Sequence, residues 1–174
     1  MAQILPFEGQ LPQIDPTAYI AESAVIIGKV TIGANANIWP NAVIRGDENS
    51  ITIGSHVSIQ DNCTIHTEPD QPVTIGDYTL IGHNTVVHCQ TIGKGCLIGM
   101  GSILMNYTTV GDETIIGAGT VVTQHKTIPP RSMVYGTPFH IVRSLTEEEA
   151  ADVYRQTKEY AALGQKHKHL QKED

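Results

Sequence analysis

An aliphatic residue recurs at every sixth position along most of this 174-residue chain. The longest unbroken run has eight members: Ile92, Ile98, Leu104, Val110, Ile116, Val122, Ile128 and Val134. Shorter runs with the same period begin at Ile20, Ile53 and Ile75. A period of six fits neither an α-helix, at about 3.6 residues per turn, nor a plain two-sided strand. It does fit a short strand followed by a turn, repeated as one unit.

Three such units in succession close a triangular coil. The aliphatic residue then points to the axis, a small residue after it lets the chain turn the corner, and stacked coils supply each other's backbone hydrogen bonds. The sequence therefore predicts an all-β fold, a parallel β-helix of hexapeptide repeats. Ile53, Ile59 and Ile65 mark faces one, two and three of one coil. The alternative is an ordinary β-sandwich, whose strands do not hold a fixed six-residue phase.

Two interruptions of the period predict loops that protrude from the prism. The spacing between successive aliphatic residues rises to nine before Ile53 and to ten before Ile75. The first loop is expected at residues 46–50 and the second at residues 67–72. Loops on a solenoid tend to lie on one functional face, and these two lie next to the histidines.

A helix is predicted after the repeat ends at Val134. Thr146 and Glu149 have the spacing of a capping box, and acidic residues fill the first turn, where the positive end of the helix dipole favours them. One stripe of this helix should run back along the prism or onto a neighbouring chain. The stripe comprises Ala150, Val153, Tyr154, Thr157, Tyr160 and Ala161. We divide the chain into an N-terminal segment with the hexapeptide β-helix, residues 1–143, and a C-terminal helix with a polar tail, residues 144–174.

Two groups of residues that could in principle bind a metal ion are expected not to do so. From Gly164 onwards the tail should be frayed and polar, so that His167 and His169 are solvated rather than part of a metal tract. The cysteines are three in number and lack a CxxC spacing, so they favour neither a disulfide framework nor a thiolate zinc site. We interpret them as reduced core residues. They are Cys63, Cys89 and Cys96.

Charge and hydropathy exclude two classes of partner. The formal net charge is −7 and the 11 basic residues are scattered, whereas nucleic-acid binding depends on clustered Lys and Arg. No run approaches the roughly 18 apolar residues of a membrane span, and the N-terminus has no signal-peptide pattern. We expect a cytoplasmic protein whose partners are small molecules or proteins.

Three of the eight histidines lie within 23 residues, and the repeat determines where they point. His66 and His88 each follow a face-three aliphatic residue, in successive coils, so their side chains should stack outward about 4.8 Å apart. His83 lies on face two and should not meet the other two histidines within its own chain. A threefold assembly of parallel prisms would bring face two of one chain near face three of the next.

Such an intersubunit site would hold a metal ion. Three imidazoles with one open position form the ligand set of catalytic zinc, and ferrous iron is also suited to it. The alternative is a polar outer face that happens to carry histidines. Gln60 and Asp61 follow a face-two aliphatic residue and are residue types expected around a metal. Arg45 and Asp47 are spaced for an ion pair that could join two chains, and Glu48 lies on the same loop.

These motifs closely resemble those of the gamma-class carbonic anhydrases, from Ile20 to the final helix. The matching positions are Arg45-Gly46-Asp47-Glu48, Gln60-Asp61-Asn62, His66, His83 and His88. The resemblance implies left-handed coils and a homotrimer with zinc or iron bound by two histidines of one chain and one of its neighbour. It also implies that Gln60 holds a metal-bound hydroxide, that Glu48 positions bicarbonate or relays protons, and that Arg45 and Asp47 chiefly join subunits. Tyr154 matches a family tyrosine near the site, and core packing is the alternative role for it.

The activity implied is the hydration of CO2 to bicarbonate. Zinc lowers the pKa of its bound water from 15.7 to roughly 7, so hydroxide is available at neutral pH as the nucleophile. One loop departs from the family pattern: the longer acidic loop of fully active members, with its proton-shuttling glutamate, is replaced here by six residues that include Glu68 and Asp70. The resemblance therefore assigns no residue of this loop to the export of protons, and it leaves the rate of turnover open.

Two other functions are compatible with the same fold. A hexapeptide acyltransferase would use a histidine as general base to transfer an acyl group from coenzyme A, but it would need neither the Arg-Gly-Asp sequence nor stacked His66 and His88. A metal-binding scaffold subunit would carry the site without turnover. Fold alone does not decide among the three functions.

Overall fold

A computed structural model describes residues 2–171 and confirms a left-handed parallel β-helix followed by one helix. Every member of the six-residue period from Ile26 to Val134 is at most 2% exposed. Residues 172–174 of the predicted tail lie outside the described part. The strands of the described part are β1 (Gln3–Leu5), β2 (Gln13–Ile14), β3 (Tyr19–Ile20), β4 (Val25–Ile32), β5 (Asn37–Ile38), β6 (Val43–Ile53), β7 (Ser58–Ile59), β8 (Thr64–His66), β9 (Val73–Ile75), β10 (Leu80–Ile81), β11 (Val86–Val87), β12 (Thr91–Ile92), β13 (Leu97–Ile98), β14 (Ile103–Leu104), β15 (Thr109–Val110), β16 (Ile115–Ile116), β17 (Val121–Val122), β18 (Thr127–Ile128), β19 (Ser132–Tyr135) and β20 (His140–Ser144).

The strands form the three predicted faces in the predicted register. Face two is one sheet in the order β20-β19-β16-β13-β10-β7-β5-β3. Faces one and three belong to a single sheet, because β4 and β6 are long enough to continue through the corner between them. Ile59 pairs with Ile81 on face two, and Ile65 pairs with Val87 on face three. His66 and His88 therefore occupy equivalent positions in successive coils.

The prediction of a loop at residues 46–50 was wrong. These residues are part of β6, which pairs with β4 up to Gly46 and again from Ile51, so that residues 47–50 form a bulge opposite Lys29. A Cβ atom on Gly28 would lie only 2.4 Å from the carbonyl oxygen of Gly46, so two glycines let the backbones approach closely at the bulge. The extra residues are thus absorbed as strand. The second predicted loop, at residues 67–72, is confirmed as a tight turn closed by a bridge between Glu68 and Gln71.

The small residue after each aliphatic residue has a different role from the one expected. A Cβ on Gly76 would lie 2.6 Å from the backbone nitrogen of Lys94 in the next coil, so glycine is required there by the stacking of coils. The corner itself is made two residues later, where Tyr78 has a φ of 57°. Hydroxyl groups inside the corners donate to the next coil, as from Thr79 Oγ1 to the carbonyl of Gly93 at 2.8 Å.

The helix α1 (Glu147–Leu170) packs along the outside of face two. Its capping box is confirmed: Thr146 Oγ1 accepts from the backbone N–H of Glu149, and the Glu149 carboxylate accepts from the backbone N–H of Thr146. Within one chain the helix thus runs back along the prism. Its buried residues confirm most of the predicted stripe and extend it to Gly164; they are Ala150, Val153, Thr157, Ala161 and Gly164.

The prediction of a frayed tail from Gly164 was wrong. The helix continues past Gly164 to Leu170, and glycine lets its backbone approach the first coil at that point. The ring of His167 packs against Trp39, with 5.3 Å between ring centroids, and Lys168 Nζ donates to backbone carbonyls of the first coil. Contacts with distant residues therefore hold a segment whose own sequence resembles a polar tail.

The three cysteines are free and buried, as predicted. Burial raises the pKa of the Cys63 thiol to about 11 and that of the Cys89 and Cys96 thiols to about 12, so thiolate chemistry is suppressed. Among the described residues, no helix combines the length and the apolar composition of a transmembrane span.

Candidate metal centre

The side chains of His66 and His88 stack on the outside of face three. Arg45 pairs with His66 across β6 and β8, so the side chains of Arg45, His66 and His88 form one column. The two imidazole centroids are 5.1 Å apart, close to the distance between neighbouring strands. His66 Nδ1 lies 3.0 Å from His88 Nε2, so one nitrogen of each ring points at the other ring.

On each ring, an acceptor oxygen lies within hydrogen-bond distance of the nitrogen that faces away from the other histidine. Asp47 Oδ1 lies 3.1 Å from His66 Nε2, and Asn106 Oδ1 lies 3.2 Å from His88 Nδ1. Carboxylate and amide oxygens only accept, so each requires an N–H on the ring nitrogen that faces it. When both rings are neutral, the two inner nitrogens are left with lone pairs directed at each other. Such lone pairs repel unless a cation lies between them.

A metal ion fits this pair of nitrogens. Zinc binds imidazole nitrogen at about 2.0–2.1 Å in tetrahedral geometry, which places neighbouring ligand nitrogens about 3.3 Å apart. The separation of 3.0 Å between His66 Nδ1 and His88 Nε2 is close to that value. The side chains are 15% and 25% exposed, so an ion from solution has access while most of the imidazole surface is covered.

On face two, His83 likewise has an acceptor oxygen beside one of its ring nitrogens. Its Nδ1 lies 2.8 Å from Asp61 Oδ2, which leaves Nε2 with its lone pair. Its backbone N–H donates to Gln60 Oε1 at 3.2 Å. Within residues 2–171 of one chain, no group of three or more His, Cys, Asp or Glu side chains is arranged to hold a metal ion. One chain therefore carries a pair of ligands on face three and a single candidate ligand on face two.

The charged residues of β6 surround His66. Arg45 Nη1 donates to Asp47 Oδ2 at 2.5 Å, and Glu48 Oε2 lies 4.0 Å from His66 Nε2. Burial opposes ionisation of Asp47, but the hydrogen bonds from Arg45 and His66 outweigh it and hold the pKa of Asp47 below its usual value. The pair between Arg45 and Asp47 forms within one chain, so its role between subunits stays a prediction.

A groove of about 390 Å³ separates face two from α1 and opens beside His83. Gln60 and His83 line it together with apolar side chains such as Leu80 and Met100. Two helix residues, Gln156 and Tyr160, also line the groove, and our sequence analysis did not assign either to the site. Tyr160 lay on the predicted stripe, so the helical period could have identified it.

Tyr154 lies at a different corner of the prism. Its ring covers Gly95 and lies 5.5 Å from the ring of Tyr78, and its hydroxyl donates to Glu113 Oε1 at 3.2 Å. Burial, with the nearby Glu113 carboxylate, raises the pKa of Tyr154 to about 12. These contacts attach the helix to the β-helix. A catalytic role for Tyr154 stays a prediction.

Asn106 is a third site residue that the sequence did not predict. It follows Met105, which occupies the position of His88 in the next coil of that column, and it contacts both His88 and Glu68 of the turn at residues 67–72. The column could have drawn attention to it. Its second contact could not be foreseen, because that contact depends on how the turn folds against the next coils.

Comparison with protein families and solved structures agrees with the fold. The family model described as bacterial transferase hexapeptide (six repeats) matches residues 12–46 and 91–124, and that described as hexapeptide repeat of succinyl-transferase matches residues 72–106. A Bacillus cereus crystal structure described as that of a candidate acetyltransferase superposes with a TM-score of 0.94 at 39% identity, covering 97% of this chain and 98% of that one.

Several curated relatives carry the name carbonic anhydrase. A carbonic anhydrase of Geobacillus kaustophilus is 41% identical over 98% of this chain and 93% of its own. A probable carbonic anhydrase of Methanocaldococcus jannaschii is 46% identical over 87% of this chain and 96% of its own. Gamma carbonic anhydrase 1 of Arabidopsis thaliana is 36% identical over 90% of this chain and 59% of its own. The chain therefore belongs to the gamma carbonic anhydrase-like family of hexapeptide-repeat proteins.

Proposed function

We propose that this protein catalyses the metal-dependent, reversible hydration of CO2 to bicarbonate. The observation that carries the proposal is the pair of nitrogens, His66 Nδ1 and His88 Nε2, that face each other across 3.0 Å while acceptor oxygens hold the opposite side of each ring. The names of the relatives at 41% and 46% identity support the same reaction. The cytoplasmic location stays a prediction.

We infer a homotrimer in which His83 of a neighbouring chain supplies the third ligand. One chain carries two half-sites, the single His83 on face two and the pair of His66 and His88 on face three, and both lie beside exposed apolar side chains. Met100, 57% exposed, lines the groove of His83. Val86 and Ile103, 36% and 41% exposed, lie on face three beside His88. Exposed apolar surface of this kind is typical of contacts between chains. A closed ring would cover it and bring the two half-sites together.

The proposed metal is zinc or ferrous iron. Three neutral imidazoles and an open fourth position suit either ion. When bound there, zinc would make hydroxide available near neutral pH, because it lowers the pKa of water from 15.7 to roughly 7. The protein holds each ring in position through one acceptor: Asp47 for His66, Asn106 for His88 and Asp61 for His83.

Gln60 is assigned the orientation of the oxygen nucleophile. Its Oε1 accepts from the backbone N–H of His83, so its Nε2 group remains as the donor toward an oxygen atom. It is only 4% exposed, which fixes its side chain. Glu48, with its carboxylate near His66, is assigned the positioning of bicarbonate or the relay of protons. In the assembly, Arg45 and Asp47 are assigned to the contact between subunits.

We expect a Gln60→Ala protein to retain its metal and to lose activity by about 10²–10³-fold, the effect of removing one pre-oriented donor to a reacting oxygen. The three imidazoles remain in this variant, so metal analysis should give the wild-type content while kcat for CO2 hydration falls. Gln90→Ala, a matched change at an exposed position, should leave both unchanged. Loss of metal from Gln60→Ala would instead assign Gln60 a structural role.

Metal analysis followed by a CO2 hydration assay tests the function itself. We expect about one zinc or iron per chain, with hydration that disappears on chelation and returns when metal is restored. A hexapeptide acyltransferase, the function suggested by the description of the Bacillus cereus structure, would transfer an acyl group from coenzyme A and would not depend on this metal. A scaffold subunit would bind the metal and show no hydration.

A further inference from the structure

Glu68 and Asn106 form a hydrogen-bonded pair behind His88. Asn106 Nδ2 donates to Glu68 Oε1, and Asn106 Oδ1 lies 3.2 Å from His88 Nδ1. Glu68 Oε1 itself is 3.7 Å from His88 Nδ1, beyond hydrogen-bond distance. Glu68 therefore acts on His88 through the amide of Asn106.

This arrangement fixes the direction of every hydrogen bond in it. The carboxylate of Glu68 only accepts, so the NH2 end of the Asn106 amide must face Glu68. The oxygen end then faces His88 and requires an N–H on Nδ1. The lone pair of His88 is consequently on Nε2, which points at His66. Without Glu68, the amide of Asn106 could rotate and present its NH2 group to Nδ1 instead.

The turn that carries Glu68 is held firmly against the coils around it. Gln71, 1% exposed, donates through Nε2 to the backbone carbonyl of His88 at 3.1 Å. The hydroxyl of Tyr107 donates to Asp70 Oδ1 at 2.9 Å. These contacts hold the turn, and with it the backbone that carries Glu68, against the neighbouring coils.

We propose that Glu68 and Asn106 are positioning residues that set the Nδ1–H tautomer of His88 and thereby strengthen metal binding. The proposal deepens the metal centre inferred above and rests on it. In this proposal the short acidic turn orients a metal ligand and does not export protons. Outer partners of a metal-binding histidine commonly contribute about 10–100-fold in metal affinity.

The test measures the dissociation constant of zinc by competition with a chelator of known affinity. Asn106→Ala removes the acceptor of His88 Nδ1 and should weaken zinc binding by about 10–100-fold. Circular dichroism of the metal-free protein should match that of the wild type, since Asn106 is only half-buried. Glu148→Gln changes an acid to an amide at an exposed position of α1, away from His88, and it should bind zinc like the wild type.

A charge exchange separates positioning from a general structural role. Asn106→Asp alone places a second carboxylate against Glu68, and repulsion should displace both side chains and weaken zinc binding. Adding Glu68→Gln supplies an NH2 donor to the new carboxylate, which then accepts from His88 Nδ1. The double variant should recover the wild-type affinity or exceed it, although each side chain differs from the original.

The three results are distinguishable. Weaker zinc binding by Asn106→Ala, with recovery in the double variant, supports the positioning role. Wild-type affinity in Asn106→Ala, or no recovery in the double variant, would overturn it while leaving the metal centre intact. A wild-type protein that binds no zinc or iron would overturn the proposed function and this inference together.

Discussion

His66→Ala and His88→Ala proteins should contain no metal and should hydrate CO2 no faster than the uncatalysed reaction. Each substitution removes one of the two nitrogens that face each other across 3.0 Å. The remaining imidazole on face three, even with His83 of a neighbouring chain, gives only two ligands where a catalytic zinc needs three. Metal content and kcat, measured on the same preparations, test this expectation.

Thermal unfolding adds a measurement that does not depend on activity. A ligand that binds only the folded protein stabilises it by about 4 kcal/mol at a thousandfold excess over its dissociation constant. Added zinc should therefore raise the Tm of the wild type and leave the Tm of both histidine variants unchanged. His140→Ala, at an exposed position of β20, is the matched control and should behave like the wild type. Full metal content in either site variant would exclude that histidine as a ligand.

The interior of the β-helix could be predicted from the sequence because one rule places the aliphatic residues along its axis. An aliphatic side chain at each sixth position faces the axis, and the register of Ile59 with Ile81 and of Ile65 with Val87 follows from counting three units per coil. The same count placed His66 directly beside His88. Periodic features are predictable because each coil repeats the environment of the one before it.

The errors fall where the chain leaves the period. Residues 46–50 interrupt the repeat, yet they stay in β6 because β6 forms a bulge against β4 and then resumes its pairing, and that pairing is not visible in either segment alone. Gly164 resembled the end of a helix, but it is the point where α1 approaches the first coil. Both features depend on residues that are distant in sequence.

The site, like the fold, was predictable only where it follows the six-residue repeat. Its histidines follow from the repeat, whereas the polar contacts that orient them do not. Asn106 contacts Glu68 from 38 positions away, and the Tyr107 backbone N–H contacts Gln71 from 36 positions away. These contacts form because the turn at residues 67–72 folds over two later coils, and its composition alone suggested only a short acidic loop.

A site shared between chains predicts that two inactive variants restore each other. His66→Ala lacks a face-three ligand, and His83→Ala lacks the face-two ligand. When equal amounts are denatured together and refolded as mixed trimers, an interface is complete where a His83→Ala chain supplies His66 and His88 and a His66→Ala neighbour supplies His83. Random mixing in a symmetric ring makes about one quarter of all interfaces complete.

Recovery of metal and CO2 hydration in the refolded mixture is therefore the most direct test of the intersubunit centre. Each variant refolded alone, and the two mixed without denaturation, are the controls and should remain inactive. The account predicts about one quarter of the wild-type metal content and activity after mixed refolding. If all three histidines served a metal within one chain, no mixed trimer would contain a complete site, and a refolded mixture as inactive as its parents would contradict the account.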